Sequence, residues 1–266
     1  MNITTRGSST CVLLFLIVGG SSVAFGCGEA NATESIDAAR ACLQRGLGLI
    51  EQQDVRGAIR EFRTGLRLDP KHFDLRASLG AALSDLGERD HDLDLSRESL
   101  EVLEQLTRDF GHRARAWANL GTAYGRLGRF EEERQAQQKA LELDPDNANL
   151  HYNLGVCAVE LRDTVTAIAA FRRACELDPD DVDARANLAG LFLNEGRDVE
   201  AEELFEAVLR VVPEHRDVRY NSALLAVRRR DWVAAERHAN VLARVDPARA
   251  KRLRGIMQRA SQDLTK

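Results

Sequence analysis

The stretch "WANLG" at residues 117–121 recurs along this chain at a fixed spacing. Its counterparts are "HYNLG" (151–155), "RANLA" (185–189) and "RYNSA" (219–223), and each begins 34 residues after the one before. Proline follows the same period, at Pro145, Pro179, Pro213 and Pro247. Such a period predicts a repeat protein, in which every unit stacks on its neighbours and no unit forms a separate core.

One unit, residues 114–147, carries the fullest version of the pattern. It contains Trp117, Leu120, Gly121, Tyr124, Ala140 and Pro145. This pattern resembles the tetratricopeptide repeat, a helix–turn–helix of 34 residues. The resemblance implies an all-α fold, a right-handed α-solenoid of six helix pairs with a concave groove and a C-terminal capping helix.

The prolines and the leucine–glycine pairs divide the chain into six predicted units. Their bounds are 39–72, 73–113, 114–147, 148–181, 182–215 and 216–249. The second unit has about seven extra residues, which we place as an acidic, solvated insertion near residues 88–94, before its second helix. Residues 250–266 are predicted to form the capping helix, with Leu253 and Ile256 facing back onto the array.

Composition and motifs exclude several classes of function. The chain has a net charge of -5 and no strongly basic face, which argues against a nucleic-acid partner. It contains none of the sequence motifs of nucleophilic, metal-dependent or nucleotide-dependent enzymes, so we predict neither an enzyme nor a cofactor. An acidic run at residues 90–101 approaches a calcium loop, but Leu95 stands where that loop needs glycine. We therefore predict no metal site.

Residues 1–26 are predicted to be a signal peptide, with the short apolar run "CVLLFLIV" at residues 11–18. The following "VAFGC" (23–27) resembles the bacterial lipobox, which implies lipidation at Cys27 and a tether over residues 27–38. Phe25 departs from the small residue that is usual at its position. Ordinary cleavage without a lipid, or an uncleaved membrane anchor, are the alternatives. The expected location is the periplasm, or a membrane surface reached through the lipid.

Asparagine occupies the sixth place of the first helix in units three to six, as Asn119, Asn153, Asn187 and Asn221. Ser78 holds this place in the second unit and Gln44 in the first. An amide both donates and accepts hydrogen bonds, so a row of amides could hold the backbone of an extended peptide. The row resembles the asparagine ladder in the repeat arm of O-linked N-acetylglucosamine transferase. The alternative is that each asparagine only braces a neighbouring helix.

The same face supplies the other candidate peptide-binding residues, which are Arg115, Tyr152, Tyr220 and Asn194. Tyr152 and Tyr220 each precede an asparagine of the row and could stack on a bound chain, although packing between units is an equal interpretation.

The resulting hypothesis is a scaffold that binds an extended peptide segment of a protein partner in its concave groove. In size and layout the chain resembles bacterial pilotin-type and outer-membrane assembly lipoproteins, which implies a role in assembling an envelope complex, as a monomer or within a hetero-complex. Two alternatives stay open: a structural subunit that uses its edges or convex surface, and an accessory subunit of a cell-wall or glycan enzyme.

Overall fold

The computed structural model describes residues 27–262, with side chains from Thr33 onward, and within that range it contains helices and no strand. The first helices of the six pairs are α1 (Cys27–Glu51), α3 (Phe73–Asp90), α5 (Ala114–Arg126), α7 (Ala148–Glu160), α9 (Val182–Asn194) and α11 (Arg216–Arg228). The second helices are α2 (Val55–Leu68), α4 (Leu93–Phe110), α6 (Phe130–Leu143), α8 (Thr164–Leu177), α10 (Asp198–Val211) and α12 (Trp232–Val245). The last helix, α13 (Pro247–Gln262), has no partner of its own and packs on α12 and α11.

Each second helix packs against the first helix of its own unit and against the first helix of the next unit. Contacts therefore run from neighbour to neighbour along the array, as a solenoid requires. The prediction of an all-α solenoid of six helix pairs with a C-terminal cap is confirmed.

The two helices of a pair approach closely where the first helix carries glycine. A Cβ atom on Gly155 would lie 2.8 Å from the ring of Phe171, which is buried on the second helix of the same unit. In the preceding unit a Cβ on Gly121 would lie 2.8 Å from the side-chain nitrogen of Gln137. Glycine is thus the residue that lets a large side chain of the second helix fit beneath the first helix.

A recurring hydrogen bond closes the turn between units. The side chain of the fourth residue of a first helix donates a hydrogen bond to a backbone carbonyl oxygen six residues earlier, which in four of the five cases belongs to the proline at the end of the preceding unit. The pairs are Arg76 with Pro70 (2.7 Å), Trp117 with Gly111 (2.9 Å), His151 with Pro145 (2.9 Å), Arg219 with Pro213 (2.7 Å), and Arg185 with Pro179. The proline ends the second helix, and this bond satisfies a carbonyl group in the turn.

The second unit differs from its prediction, because its extra residues are helical. α3 and α4 each have 18 residues, against 13 and 14 in the units that follow, and only two residues separate them. Asp92 caps α4 by accepting hydrogen bonds from the backbone nitrogens of Asp94 (2.9 Å) and Leu95 (3.1 Å). An aspartate cap lets the second helix begin at once, so the insertion lengthens both helices by about a turn and forms no loop.

The ends of the array also differ from the predicted bounds. α1 begins at Cys27, so the predicted tether, residues 27–38, is helical and continuous with the first unit. No proline interrupts this run, and the Ser35 hydroxyl donates to the Leu68 carbonyl oxygen at 2.8 Å, which ties α1 to the end of α2. At the other end α13 begins at Pro247, because proline is well suited to the first turn of a helix.

The predicted signal peptide, residues 1–26, and the side chain of Cys27 lie outside the described residues. Across residues 27–262, no helix is both long enough and apolar enough to cross a bilayer.

Buried apolar side chains form clusters that follow the repeat array. One cluster joins α3, α4 and α5, and its members include Leu103 and Leu120. A larger cluster begins on α7 and continues through α11, and its members include Phe171 and Phe205. Neither cluster includes a residue of α6. The apolar core of the described residues is therefore interrupted at the second helix of the third unit.

Candidate functional site

The four asparagines lie at equivalent places on α5, α7, α9 and α11, with Ser78 at the equivalent place on α3. These first helices contact one another directly, α3 with α5, α5 with α7, and α9 with α11. The side chains of successive units are accordingly within reach of each other on one surface. We call this surface, formed by α3, α5, α7, α9 and α11, the first-helix face.

Two of the asparagines reach the first helix of the preceding unit. Asn119 donates from its side-chain nitrogen to the Ala77 carbonyl oxygen at 3.5 Å, and Asn187 donates to the Tyr152 hydroxyl at 3.4 Å. Both bonds are at the long limit for a hydrogen bond and are correspondingly weak. Among the residues that the structure describes, the side chains of Asn153 and Asn221 make no hydrogen bond. The row therefore contains two braced amides and two whose donors and acceptors remain available.

Two cavities open on the first-helix face. The first, which we call the α6 cavity, has a volume of about 440 Å³. Its lining residues are Glu88, Thr122, Gly125, Arg126, Phe130, Glu133, Tyr152, Asn153, Val156 and Glu160. The second, the α9 cavity, has a volume of about 470 Å³ and is lined by Tyr152, Val159, Asp183, Ala186, Asn187, Gly190, Leu191, Asn194, His215, Asp217, Val218 and Asn221. Three of the four asparagines thus line a cavity.

Tyr152 lies between the two cavities and contributes to both. Its ring packs edge-on against Phe171, with centroids 5.6 Å apart, and its hydroxyl accepts the hydrogen bond from Asn187. Burial, reinforced by the charge of Asp183, raises the pKa of this phenol. The hydroxyl therefore keeps its proton and can donate a hydrogen bond to a ligand in either cavity.

The other predicted residues have more local roles in the structure. Arg115 forms an ion pair with Asp74 at 2.6 Å and lies over the ring of Phe73, so its charge is matched by α3. Tyr220 is half-buried and packs against the apolar cluster that joins α11, α12 and α13. Asn194 is exposed and lines the α9 cavity.

Glu133, to which neither the repeat motif nor the asparagine row pointed, is the most unusual residue that lines the α6 cavity. Its side chain is on α6, is 8% exposed and lines the α6 cavity. Burial raises the pKa of its carboxyl to about 7, and Glu160 adds to the shift. The signal was present in the sequence, since the positions 34, 68 and 102 residues later are alanines: Ala167, Ala201 and Ala235.

A second polar residue on α6 accompanies Glu133. Gln137 is 0% exposed, and neither its side-chain oxygen nor its side-chain nitrogen has a hydrogen-bond partner among the residues that the structure describes. The equivalent residue one unit later is Phe171. An unsatisfied buried amide costs about 1–3 kcal/mol, so Gln137 lowers the stability of the folded chain.

Cys157 lies beside Glu133, and its thiol is not a reactive nucleophile. Its thiol donates to the Phe130 carbonyl oxygen at 3.2 Å. Burial, followed by the charge of Glu133, raises its pKa to about 12, so the nucleophilic thiolate does not form near neutral pH. Cys42, Cys157 and Cys175 form no disulfide with one another within the part of the chain that the structure describes.

Both cavities are acidic. Glu88, Glu133 and Glu160 line the α6 cavity with a single guanidinium, Arg126. The α9 cavity contains Asp183, which lies 3.8 Å from His215, and Asp217, which pairs with Arg249. A positively charged ligand is favoured over an anion on this face.

The acidic run at residues 90–101 is structural. Asp92 caps α4, and Asp90 forms an ion pair with Arg56 at 2.7 Å, which lowers the pKa of that aspartate. Within the side chains that the structure describes, no group of three His, Cys, Asp or Glu residues is arranged to hold a metal ion.

Comparison with protein families gives four matches, and each family is described as a tetratricopeptide repeat. They cover residues 114–147, 136–169, 158–220 and 200–250, and together they span just over half of the chain without a gap. Comparison with curated protein sequences gave no match.

Many solved structures share the fold. The structure of Pseudomonas aeruginosa PilF superimposes with a TM-score of 0.72 at 20% identity, covering 84% of this chain and 99% of that one. PilW, described as a widely conserved type IV pilus biogenesis factor, gives a TM-score of 0.67 at 21% identity, covering 79% and 94%. YrrB, described as having an unusual peptide-binding site, gives 0.59 at 22% identity, covering 73% and 97%. At these identities the likeness establishes the fold.

Proposed function

This chain belongs to the tetratricopeptide-repeat family, and from that premise we propose that its first-helix face binds an extended segment of a partner protein. The fold supports a protein–protein interaction scaffold. An array stabilised by contacts between neighbours presents a long continuous surface, which suits an extended ligand.

The observation that carries this proposal is the pairing of the asparagine row with the two cavities. Asn153 lines the α6 cavity and Asn221 lines the α9 cavity, and neither amide has a hydrogen-bond partner among the described residues. A peptide bond offers one donor and one acceptor, which an amide side chain matches whatever the peptide sequence. Tyr152, between the cavities, adds a hydroxyl and an aromatic face for a ligand side chain.

A purely structural role for the row is the competing proposal. Asn119 and Asn187 both contact the preceding unit, as bracing requires. Their bonds are long, however, and bracing gives no role to Asn153 or Asn221. Peptide binding gives a role to Asn153 and Asn221, and bracing gives a role to Asn119 and Asn187.

The proposed context is an envelope assembly. The similarity to PilW, a pilus biogenesis factor, supports this context, as does a predicted signal peptide over residues 1–26. We propose that the chain is exported, and that Cys27 carries the lipid that holds it at a membrane. Intact-mass measurement of the chain from bacterial cells, with Cys27→Ala as control, tests this. A wild-type mass without an acyl group contradicts lipidation.

The binding proposal is tested with peptides selected on the purified protein from a random peptide library. Affinities of individual peptides are then measured by fluorescence anisotropy for the wild type and for Asn153→Ala/Asn221→Ala. Because neither amide is bonded within the fold, the variant should keep its helicity and thermal midpoint. Loss of two amide contacts should weaken binding about tenfold or more.

Asn240→Ala provides a control, since Asn240 is exposed on α12, lies outside both cavities and accepts a hydrogen bond from Arg254 of the last helix at 2.7 Å. It should bind every peptide as the wild type does. Equal affinity of the double variant and the wild type would show that the row is structural, and binding would then have to be sought on other surfaces.

A further inference from the structure

Glu133 is held in a place that Gly125 makes available. A Cβ atom on Gly125 would lie 2.5 Å from a carboxylate oxygen of Glu133, so the carboxyl group occupies the space that a side chain on α5 would fill. The group is more than nine-tenths buried, yet it lines the α6 cavity. The carboxyl group therefore lies at the floor of a cavity that opens on the first-helix face.

Within the described residues this carboxyl has no cation. It forms no ion pair, and the one side-chain hydrogen bond in which it takes part is with the weak donor thiol of Cys157. That thiol has its own acceptor in the Phe130 carbonyl oxygen at 3.2 Å. A buried carboxylate without a cation or strong donors is costly to the fold.

The positive group of the α6 cavity is already engaged. The guanidinium of Arg126 lies 3.2 Å from Glu88 and 3.5 Å from Asp85, both on α3. Glu160, on α7, is exposed at the cavity and forms no ion pair with a described residue. Two carboxyl groups, from Glu133 and Glu160, therefore face the cavity without a matching positive charge.

The cavity walls suit a long cationic side chain. Phe130, Tyr152 and Val156 present apolar surface that can cover the methylene groups of lysine or arginine, whose charged end reaches the floor. A volume of about 440 Å³ holds such a side chain together with water. Asn153 lies at the same opening, so the backbone of the ligand and its side chain would be held side by side.

We propose that the α6 cavity is a subsite for one lysine or arginine side chain of the bound segment, with Glu133 as its counter-ion. This inference rests on the proposed function, since it specifies the chemistry of the segment bound there. Ligand binding then supplies the positive charge that the folded chain lacks at Glu133.

The test uses a random peptide library displayed against the purified protein. Peptides selected on the wild type should share a lysine or arginine at one fixed position. The affinity of a selected peptide should fall tenfold or more on Glu133→Gln, and equally when its lysine is replaced by norleucine. The two changes together should cost little more than either one, because both remove the same ion pair.

Glu131→Gln is the matched control, because Glu131 is an exposed carboxylate on the same helix that pairs with Arg134 outside the cavity. It should leave affinity unchanged. The norleucine peptide needs no protein variant, so it tests the inference even if Glu133→Gln were to disturb the fold, which circular dichroism would reveal.

The outcomes separate the two proposals. If peptides bind with an affinity that depends on Asn153 and Asn221 but not on Glu133 or on a basic side chain, the subsite inference is wrong and the peptide-binding proposal stands. If no peptide is selected at all, the binding proposal fails and the subsite fails with it.

Discussion

The third and fourth units have the same helix pair but differ in the residues that their second helices bury. Their first helices place Gly121 and Gly155 at the same point of close approach, and both second helices end before a proline. Beneath those glycines the fourth unit has Phe171, and the third has Gln137. One turn earlier the fourth unit has Ala167 and the third has Glu133, both buried.

The turn between the two helices also differs, and here the backbone of the fourth unit is the more strained. Each contains one residue in the left-handed region, which is Gly128 in the third unit, at a φ of 70°, and Arg162 in the fourth, at 58°. The third unit thus combines a relaxed turn with a polar core, and the fourth combines an apolar core with a strained turn. The positions of the glycine and the proline are enough to keep a unit in register with the array. A unit can therefore carry polar residues in its core when the neighbouring units pack against it.

The largest expected effect comes from giving the fourth unit the core residue of the third. Phe171→Gln should destabilise the chain by about 4 kcal/mol, because it removes a fully buried ring and buries an amide without partners. Urea unfolding followed by circular dichroism measures this. Val165→Gln, at an exposed position on the same helix, should change stability by less than about 0.5 kcal/mol, and equal effects at the two positions would contradict the prediction.

The next effect depends on pH. Glu133→Gln should stabilise the chain at pH 8 by about 2–3 kcal/mol and should do far less near pH 5. Burial raises the carboxyl pKa from 4.5 to about 7, so the folded chain keeps a proton that the unfolded chain has lost. The stability contributed by Glu133 is therefore complete below pH 4.5 and is lost as the pH rises through 7.

Unfolding of the wild type and the variant from pH 5 to pH 8 checks this prediction. The groups that face Glu133 or share its cavity, Glu88, Arg126, Cys157 and Glu160, are common to both proteins. His238 is also common to both proteins. Burial lowers its pKa to about 4, so its contribution to the free energy of unfolding is lost as the pH falls below 6.5. A difference between the two proteins that is constant with pH would refute the assigned cause.

A smaller gain is expected from giving the third unit an apolar core residue. Gln137→Leu should stabilise the chain by about 1–2 kcal/mol, because it removes a buried amide that has no hydrogen-bond partner in the described range. The second unit shows that leucine fits, since Leu103 packs against Gly80 in the same way. Hydrogen exchange of α6 amides should slow together with the higher urea midpoint, and a lower midpoint would mean that water or a ligand satisfies the amide.

The smallest effect concerns the turns. Arg162→Gly should stabilise the chain by about 0.5–1 kcal/mol, because glycine adopts a positive φ without steric strain. Gly128→Arg should cost a similar amount in the third unit. Thermal midpoints of the two variants measure both changes, which should have opposite signs.

The sequence predicted the array well because its signals are local and periodic. Leucine–glycine pairs and prolines at a spacing of 34 residues specify where helices cross and where they end. The second unit was harder to predict, since its extra residues could form either a loop or additional helical turns. Asp92 decided the outcome by capping α4 immediately after α3, a role that depends on backbone geometry at one residue.

The candidate site was predicted only in part. Placing the asparagines on one face needs the helix period alone, and that placement agrees with the cavities that Asn153, Asn187 and Asn221 line. The bond from Asn187 to Tyr152 joins residues 35 positions apart and depends on how two units stack. The exposed place of Asn194 and the ion pair of Arg115 also depend on that stacking.

The sequence alone specifies the helix pairs, their order and the face that carries the amides, because backbone hydrogen bonding, proline and glycine act over a few residues. It also contained the substitution of glutamate and glutamine for alanine and phenylalanine on α6, but not its consequence. The packing of the helices buries Glu133 beneath Gly125, at the floor of an acidic cavity and without a cation among the described residues. The electrostatic environment of a carboxyl group is set by the neighbours that folding brings to it, and those neighbours belong to three other helices.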